Sequence, residues 1–346
     1  MSDPLLSVSD LKVQFDTDAG VVKAVDGITF DVERGETVCI VGESGSGKSV
    51  TSETITRLIP QPPGRIPEGS IEFDGMELTD MPMKELLEIR GERIAHVFQN
   101  PQGALNPVYS IGKQIAETLH LHRDDVSKQE GRERAIDLLD RVGIPDATKR
   151  VDEYPHEFSG GMKQRAVIAM ALAADPDLLI ADEPTTALDV SIQAQILDLL
   201  RDLQEEFEMS IIFVTHDLGV VAEIADSVVV MYAGKVMERG DVYDLFEDPA
   251  HPYTQALLNC RPGQGGERTI IEGSLPSAMN PPDGCRFNPR CPHAVEECRT
   301  NDQPPMYERA ATDQEVSCVH YGEGFDPSVV SGEEAGSVAT DGGVEQ

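Results

Sequence analysis

The sequence predicts an α/β fold built on a mostly parallel sheet, and three observations lead there. Short apolar runs at 36–42, 178–181 and 211–214 read as buried strands. Segments with apolar residues three and four apart stand between such runs, the clearest at 191–208. The first of these strands runs into Gly42-Glu43-Ser44-Gly45-Ser46-Gly47-Lys48-Ser49, a G-x-x-x-x-G-K-S loop, and then into a helix. Strands that alternate with helices and end in such turns build parallel sheets, with ligands at their carboxyl ends.

Taken in order, residues 5–15, 21–32, 36–42, 70–74 and 93–99 carry β-branched or alternating patterns, broken by Asp, Gly and Pro. One helix intervenes after Gly47. Residues 102–175 read as mostly helical: 136–142 is amphipathic and 162–174 is richly apolar. The strand at 178–181, the helix at 191–208 and the strand at 211–214 follow. Residues 227–238 read as a hairpin turning at Ala233-Gly234. Composition shifts after about 250. Residues 260–322 hold five of the six Cys, with many Pro and Gly. Residues 323–346 hold six acidic residues and no basic one, and read as a disordered acidic tail.

The chain of 346 residues is long enough for about two domains at roughly 150 residues each. Its longest apolar run, 166–174, has nine residues, against about 20 for a membrane-spanning helix. The N-terminus lacks the basic start and apolar stretch of a signal peptide, so the chain is expected in the cytoplasm. Sixty-two acidic against 28 basic residues leave a net charge of −34, which disfavours nucleic acid and anionic membrane surfaces as direct partners. Nineteen of the basic residues are Arg and nine are Lys. Such an acidic, Lys-poor surface resembles proteins of salt-loving organisms, where a Debye length of about 3 Å at 1 M salt screens the self-repulsion.

The glycine-rich loop lets backbone N–H groups curl round a phosphate, and the helix behind it adds partial positive charge. Lys48 would reach the β- and γ-phosphates, and the Ser49 hydroxyl would bind Mg²⁺. Further on, Leu178-Leu-Ile-Ala delivers Asp182 and Glu183 to the carboxyl end of a strand. Asp182 suits Mg²⁺, and Glu183 suits a general base acting on water. A surface acidic pair is the plain alternative, but an apolar run before it and a Pro after it argue for a buried strand end.

Between these two sites stands Phe158-Ser159-Gly160-Gly161-Met162-Lys163-Gln164-Arg165, which resembles the signature of the ABC (ATP-binding-cassette) ATPases. Gln99 lies between them in Val-Phe-Gln-Asn-Pro, Asp189 follows in Ala-Leu-Asp, and His216 ends the next strand in Phe-Val-Thr-His-Asp. Phe15 precedes the loop by 27 residues, where the family places an aromatic that stacks on adenine. The order and distances are the family's, over residues 5 to about 250. Met162 stands where many members carry Gln. The resemblance implies a P-loop ABC ATPase cassette: a RecA-like core, an antiparallel β subdomain, a helical signature subdomain at about 102–175, and a small Cys-rich C-terminal module at 251–322. It implies ATP and Mg²⁺ as ligands. Ser159, Gly160 and Gly161 would contact the nucleotide of a partner cassette. His216 would contact the γ-phosphate and hold the attacking water with Glu183. Gln99 would sit near Mg²⁺ and link nucleotide state to the helical region.

Asn-Pro-Gln-Gly-Ala-Leu-Asn-Pro at 100–107, Tyr154-Pro-His-Glu, His251-Pro-Tyr-Thr and Gly284-Cys-Arg-Phe-Asn-Pro-Arg-Cys-Pro-His resemble the oligopeptide and dipeptide importers. That branch implies an ATPase subunit at the cytoplasmic face of the cell membrane. Its partners would be two transmembrane permease subunits, a second and non-identical ABC ATPase, and an extracellular solute-binding protein. Nickel, a sugar or another solute stays open as cargo. A soluble, non-transport ABC ATPase is the different-class reading, although such proteins usually carry two cassettes or a long coiled coil.

Cys285, Cys291, Cys298 and Cys318 are spaced C-x5-C-x6-C-x19-C. A cytosolic setting argues against disulfides, and four Cys in a Pro-rich segment suggest a metal staple. The spacing is wider than that of zinc ribbons and differs from ferredoxin runs. The resemblance favours a [4Fe–4S] cluster. Zinc, with His293 or His320 replacing one Cys, and four free thiols are the alternatives. Cys39 and Cys260 read as packing residues.

Overall fold

The structure is a computed structural model that describes residues 3–99, 101–123, 125–186, 189–259, 271–309 and 312–331. Among the described residues the strands are, in chain order, β1 (Leu6–Thr17), β2 (Gly20–Val32), β3 (Thr37–Val41), β4 (Gly64–Phe73), β5 (Met76–Glu77), β6 (Ile94–Val97), β7 (Leu178–Asp182), β8 (Ser210–Thr215), β9 (Ser227–Tyr232), β10 (Lys235–Asp241), β11 (Tyr307–Glu308) and β12 (Glu315–Val316). They form two sheets. An antiparallel sheet runs β2-β1-β4-β5, and a larger one runs β11-β12-β10-β9-β3-β8-β7-β6. The five strands from β9 to β6 are parallel, and β10, β12 and β11 continue antiparallel from β9.

β3, β7 and β8 are buried at every position because both faces of the sheet are covered. Val38 and Ile40 of β3, Leu178 and Ile180 of β7, and Ile212 and Val214 of β8 face the antiparallel sheet. Their alternates Cys39, Val41, Leu179, Ala181, Ile211 and Phe213 face the helices. Cys39 is fully buried there, as its packing role requires. The β9–β10 hairpin turns at Ala233 and Gly234, both at positive φ, which matches the right-handed twist of the paired strands.

Two expectations change. The strand expected at 70–74 starts at Gly64, since Arg65 and Gly64 pair with Gln14 and Phe15 of β1; that long-range ladder is invisible to local propensity. The Cys-rich segment is not an appendage. β11 and β12 extend the main sheet, and Cys285, Phe287 and Cys298 share the buried cluster that holds Cys39 and Phe213. Arg286–Asp26, Arg290–Glu43 and Arg239–Glu315 ion pairs fasten it to earlier parts of the chain.

The helical region contains Ile111–His122, Lys128–Arg141 and Gly160–Ala171, with shorter turns between them. Ser127 starts the second with a reciprocal capping box to Glu130. At the C-terminal end, residues expected in the acidic tail are ordered up to a short helix, Ser328–Ser331. Val330 is buried, and its carbonyl accepts from Gln255 Nε2 at 2.6 Å. A burial of one apolar side chain outweighs the acidic composition there. Residues 332–346, Cys260, Asn100 and the Ala187-Leu188 pair lie outside the described residues.

Candidate active site

The glycine-rich loop leaves the end of β3, and helix Lys48–Ile55 leaves the loop. Two glycines are dictated by close approach. A Cβ on Gly42 would fall 2.1 Å from the Met231 carbonyl, and one on Gly47 would fall 2.5 Å from that of Ala24; both residues are at positive φ. Lys48 is 5% exposed and donates to the carbonyls of Gly42 (2.8 Å) and Glu43 (3.0 Å). Burial lowers the Lys48 ammonium's pKa, while the carboxylates of Glu183, Asp182 and Glu43 oppose that. Ser46 Oγ is buried inside the loop without a hydrogen-bond partner. Ser44 and Gly45 are exposed, and Leu275 Cδ2 would lie 3.3 Å from a Cβ on Gly45.

Asp182 ends β7 beside the loop. Burial raises its carboxyl pKa, a Ser49 hydrogen bond lowers it, and Oδ1 is buried with no partner. The Ser49 hydroxyl and an unpartnered carboxylate oxygen are hard oxygen donors, the chemistry that Mg²⁺ takes.

Glu183 follows at φ 45°, a strained left-handed conformation for a residue with a side chain. Its backbone N–H donates to the Val214 carbonyl at 2.9 Å, which holds it against β8. Three side chains converge on its carboxylate: His216 Nδ1 at 3.0 Å from Oε1, and Gln99 Nε2 at 2.8 Å and Thr186 Oγ1 at 3.0 Å from Oε2. Burial alone would raise the Glu183 carboxyl. Hydrogen bonds from His216 and Thr186, with the charges of His216 and Lys48, bring it below the ordinary carboxylate range. Gln99 was expected near Mg²⁺; here its amide is engaged by Glu183.

The remaining expected residues sit on other elements. Phe15 sits on β1, partly buried against the antiparallel-sheet cluster and next to Gly64. Ser159 caps helix Gly160–Ala171, its Oγ accepting from Met162 N at 3.3 Å; Ser159 and Gly160 are exposed. Asp189 caps helix Val190–Phe207 by accepting from Ile192 N at 3.0 Å, beside Val190, which is 82% exposed.

Sequence reasoning passed over the clamp behind the loop. The Glu43 backbone N–H donates to Tyr253 Oη at 2.9 Å. Tyr253 belongs to the His251-Pro-Tyr-Thr motif, whose His251 N–H, with that of Ala250, donates to buried Glu238 at 2.8 Å. The motif was visible; its contact with the loop was not.

Cys285, Cys298 and Cys318 are buried and Cys291 is half-buried, all as free thiols. Burial pushes Cys285 and Cys318 up to about 12 and Cys291 up to about 11, and neighbouring thiols add to each shift. Cys285 and Cys298 belong to the main buried cluster with Cys291 packed against it, and Cys318 belongs to a separate small one with Ala250 and Val316. Among the described residues no group of three or more His, Cys, Asp or Glu is disposed to hold a metal ion. His320 Nε2 is engaged by the His293 carbonyl at 2.9 Å.

Comparison with known proteins agrees with this geometry. Residues 25–186 match the ABC transporter family model, and 237–298 match that of the oligopeptide/dipeptide transporter C-terminal region. The oligopeptide transport ATP-binding protein OppD of Bacillus subtilis (strain 168) is 52% identical over 321 residues, 92% of this chain and 87% of that protein. The dipeptide transport ATP-binding protein DppD of the same organism is 50% identical over 299 residues, 86% of this chain and 89% of that protein. Among solved structures, the dimeric post-hydrolysis cassette MJ0796 bound to ADP and Pi superimposes with a TM-score of 0.62 at 28% identity, covering 68% of this chain and 98% of that one. A loop, an acidic strand end and a C-terminal segment that match on both counts place the chain in the ABC transporter family, among its oligopeptide/dipeptide-type ATP-binding proteins.

Proposed function

We propose that this chain is the ATP-hydrolysing subunit of a membrane importer of di- and oligopeptides. The observation that carries the hydrolytic reading is Glu183, an acid kept ionised at a strand end and hydrogen-bonded to His216. Lys48 and the loop N–H groups from Gly42 to Ser49 hold the polyphosphate, and Phe15 stacks on the base. Glu183 accepts the proton of the attacking water, with His216 orienting it. Ser49 and Asp182 would hold Mg²⁺, which would supply neutralisation of the polyphosphate charge. Gln99 reports the state of Glu183 to the helical region. Exposed Ser159, Gly160 and Asp189, with half-buried Gly161, suit a partner cassette, non-identical as in the branch it resembles. ATP's preference for the closed pair supplies the force for transport.

Beside Gln99, a groove of about 530 Å³ opens between β6 and the helices, lined by His96, Phe98, Ala104, Thr118, Val167 and Met170. Its apolar lining suits a short helix of a permease at the cytoplasmic face. Among the described residues no helix is long and apolar enough to cross a membrane, so the pore belongs to other subunits. The surface charge supports a salt-adapted protein.

The branch that this chain resembles favours an iron–sulfur cluster over zinc on Cys285, Cys291, Cys298 and Cys318. That reading rests on the resemblance alone, since among the described residues no group of three or more His, Cys, Asp or Glu is disposed to hold a metal ion.

The test is reconstitution with the neighbouring permease and second ATPase genes in vesicles. Peptide-loaded binding protein should raise ATP hydrolysis and drive peptide uptake. Stimulation by nickel- or sugar-loaded binding proteins instead would reassign the cargo, and full activity without any permease would favour the soluble class.

A further inference from the structure

The Glu43 side chain in the phosphate loop is met by a cation from the far end of the chain. Arg290 Nη1 lies 3.0 Å from both Glu43 Oε1 and Oε2. The Arg290 side chain is only 6% exposed, and that of Glu43 is 28% exposed. The guanidinium is fixed on every side. Nη1 also approaches Tyr232 Oη at 3.2 Å, Nε donates to the Glu272 carbonyl at 2.9 Å, and Nη2 donates to that of Ile271 at 3.1 Å. Its own N–H donates to the Phe287 carbonyl, at 2.9 Å, inside the Cys-rich segment. With Tyr253 on the Glu43 backbone, the loop's second residue is held at both main chain and side chain.

We infer that Arg290 is a positioning residue for nucleotide binding: it neutralises Glu43 and pins the phosphate loop in its receptive shape. The inference rests on the loop being the ATP site. The physical need is plain. A carboxylate within the loop repels incoming phosphates, and it competes for Lys48, whose ammonium feels the Glu43 charge. Pairing with Arg290 removes that charge at its source. A buried, multiply bonded guanidinium does so without further loss of side-chain freedom on binding. Arg290 directly precedes Cys291, so the Cys-rich segment contributes to the ATP site.

The test measures binding of Mg²⁺ with the non-hydrolysable analogue AMPPNP by calorimetry, together with KM and kcat for ATP, on the full chain. Arg290→Ala should weaken binding and raise KM about tenfold, with kcat at saturation within about twofold. Arg290→Lys keeps the charge without the fork and should fall between. Arg290→Ala combined with Glu43→Gln should recover most of the affinity, because the uncompensated carboxylate is gone. A merely structural Arg290 would show no such recovery, and that result overturns the inference. Should Arg290→Ala not fold, Glu43→Gln alone decides: affinity held or increased supports charge neutralisation, and a tenfold loss overturns it. Lys48→Ala separates the premise. Wild-type binding that is lost in Lys48→Ala upholds the loop as the ATP site whatever Arg290 does; binding that survives Lys48→Ala removes both readings.

Discussion

Glu183 and His216 meet across the ends of two adjacent parallel strands, with Nδ1 of the imidazole 3.0 Å from Oε1 of the carboxylate. Each residue immediately follows its strand, β7 ending at Asp182 and β8 at Thr215. The parallel register therefore places an acid and an imidazole side by side at the carboxyl edge of the sheet, where ligands of such sheets sit.

Replacing Glu183 with Gln should leave ATP binding intact and slow hydrolysis at least about 100-fold, the usual loss on removing a general base. The variant should accumulate in an ATP-bound dimeric assembly. Single-turnover hydrolysis with filter-binding of ATP checks both, and wild-type turnover would take Glu183 out of the reaction.

His216 should set the acid limb of the rate profile. Burial tends to raise the Glu183 carboxyl, and the His216 hydrogen bond is the foremost of the effects holding it down. His216→Ala should thus let the carboxyl rise, and the base would be protonated at higher pH. The acid limb of kcat should move upward in pH as well as kcat falling. An unmoved limb would mean that His216 does not tune Glu183.

Glu238 ties stability to pH. Burial raises its carboxyl to about 7, against hydrogen bonds from Ala250 and His251. A group raised on folding stabilises fully below its unfolded value and loses that contribution as pH climbs through the folded one. Glu238 should therefore cost stability between its ordinary range and about pH 7. His251, lowered to about 3 by burial, acts oppositely, losing its contribution as pH falls below the ordinary imidazole range. Urea unfolding at fixed salt should show a shallower decline above pH 5 in Glu238→Gln than in wild type.

Dilution of salt from about 1 M to 0.1 M lengthens screening from about 3 to 10 Å. With a net charge of −34, the melting temperature and ATPase activity should both fall. A melting temperature that stays level or rises would contradict salt adaptation.

Protein purified without oxygen should be brown, absorb near about 400 nm and hold about four iron atoms per chain. Cys291→Ser should bleach it. Colourless protein with one zinc, or with none, would exclude the cluster.

Much of the nucleotide site could be read along the chain because its parts are local. The loop from Gly42 to Ser49 is one uninterrupted stretch, and Asp182-Glu183 follows directly on its strand, so spacing and apolar pattern identify them. The helix expected at 191–208 is found at Val190–Phe207, capped by Asp189. Gln99 was legible as a site residue but not as a partner of Glu183, because 84 residues separate them. The early start of β4 was hidden for the same reason, its pairing partner being β1.

What the sequence by itself determined is the chemistry available: a phosphate loop, an acidic strand end, an imidazole after the next strand, four thiols and an acidic surface. Tertiary structure alone decided which of these touch. It set Arg290 on Glu43 across 247 residues and merged the Cys-rich segment into the main sheet. Local pattern reports only the surroundings that a residue shares with its chain neighbours. Contacts over such separations depend on strand order and on which faces bury one another, and these are set by the packing of the whole chain.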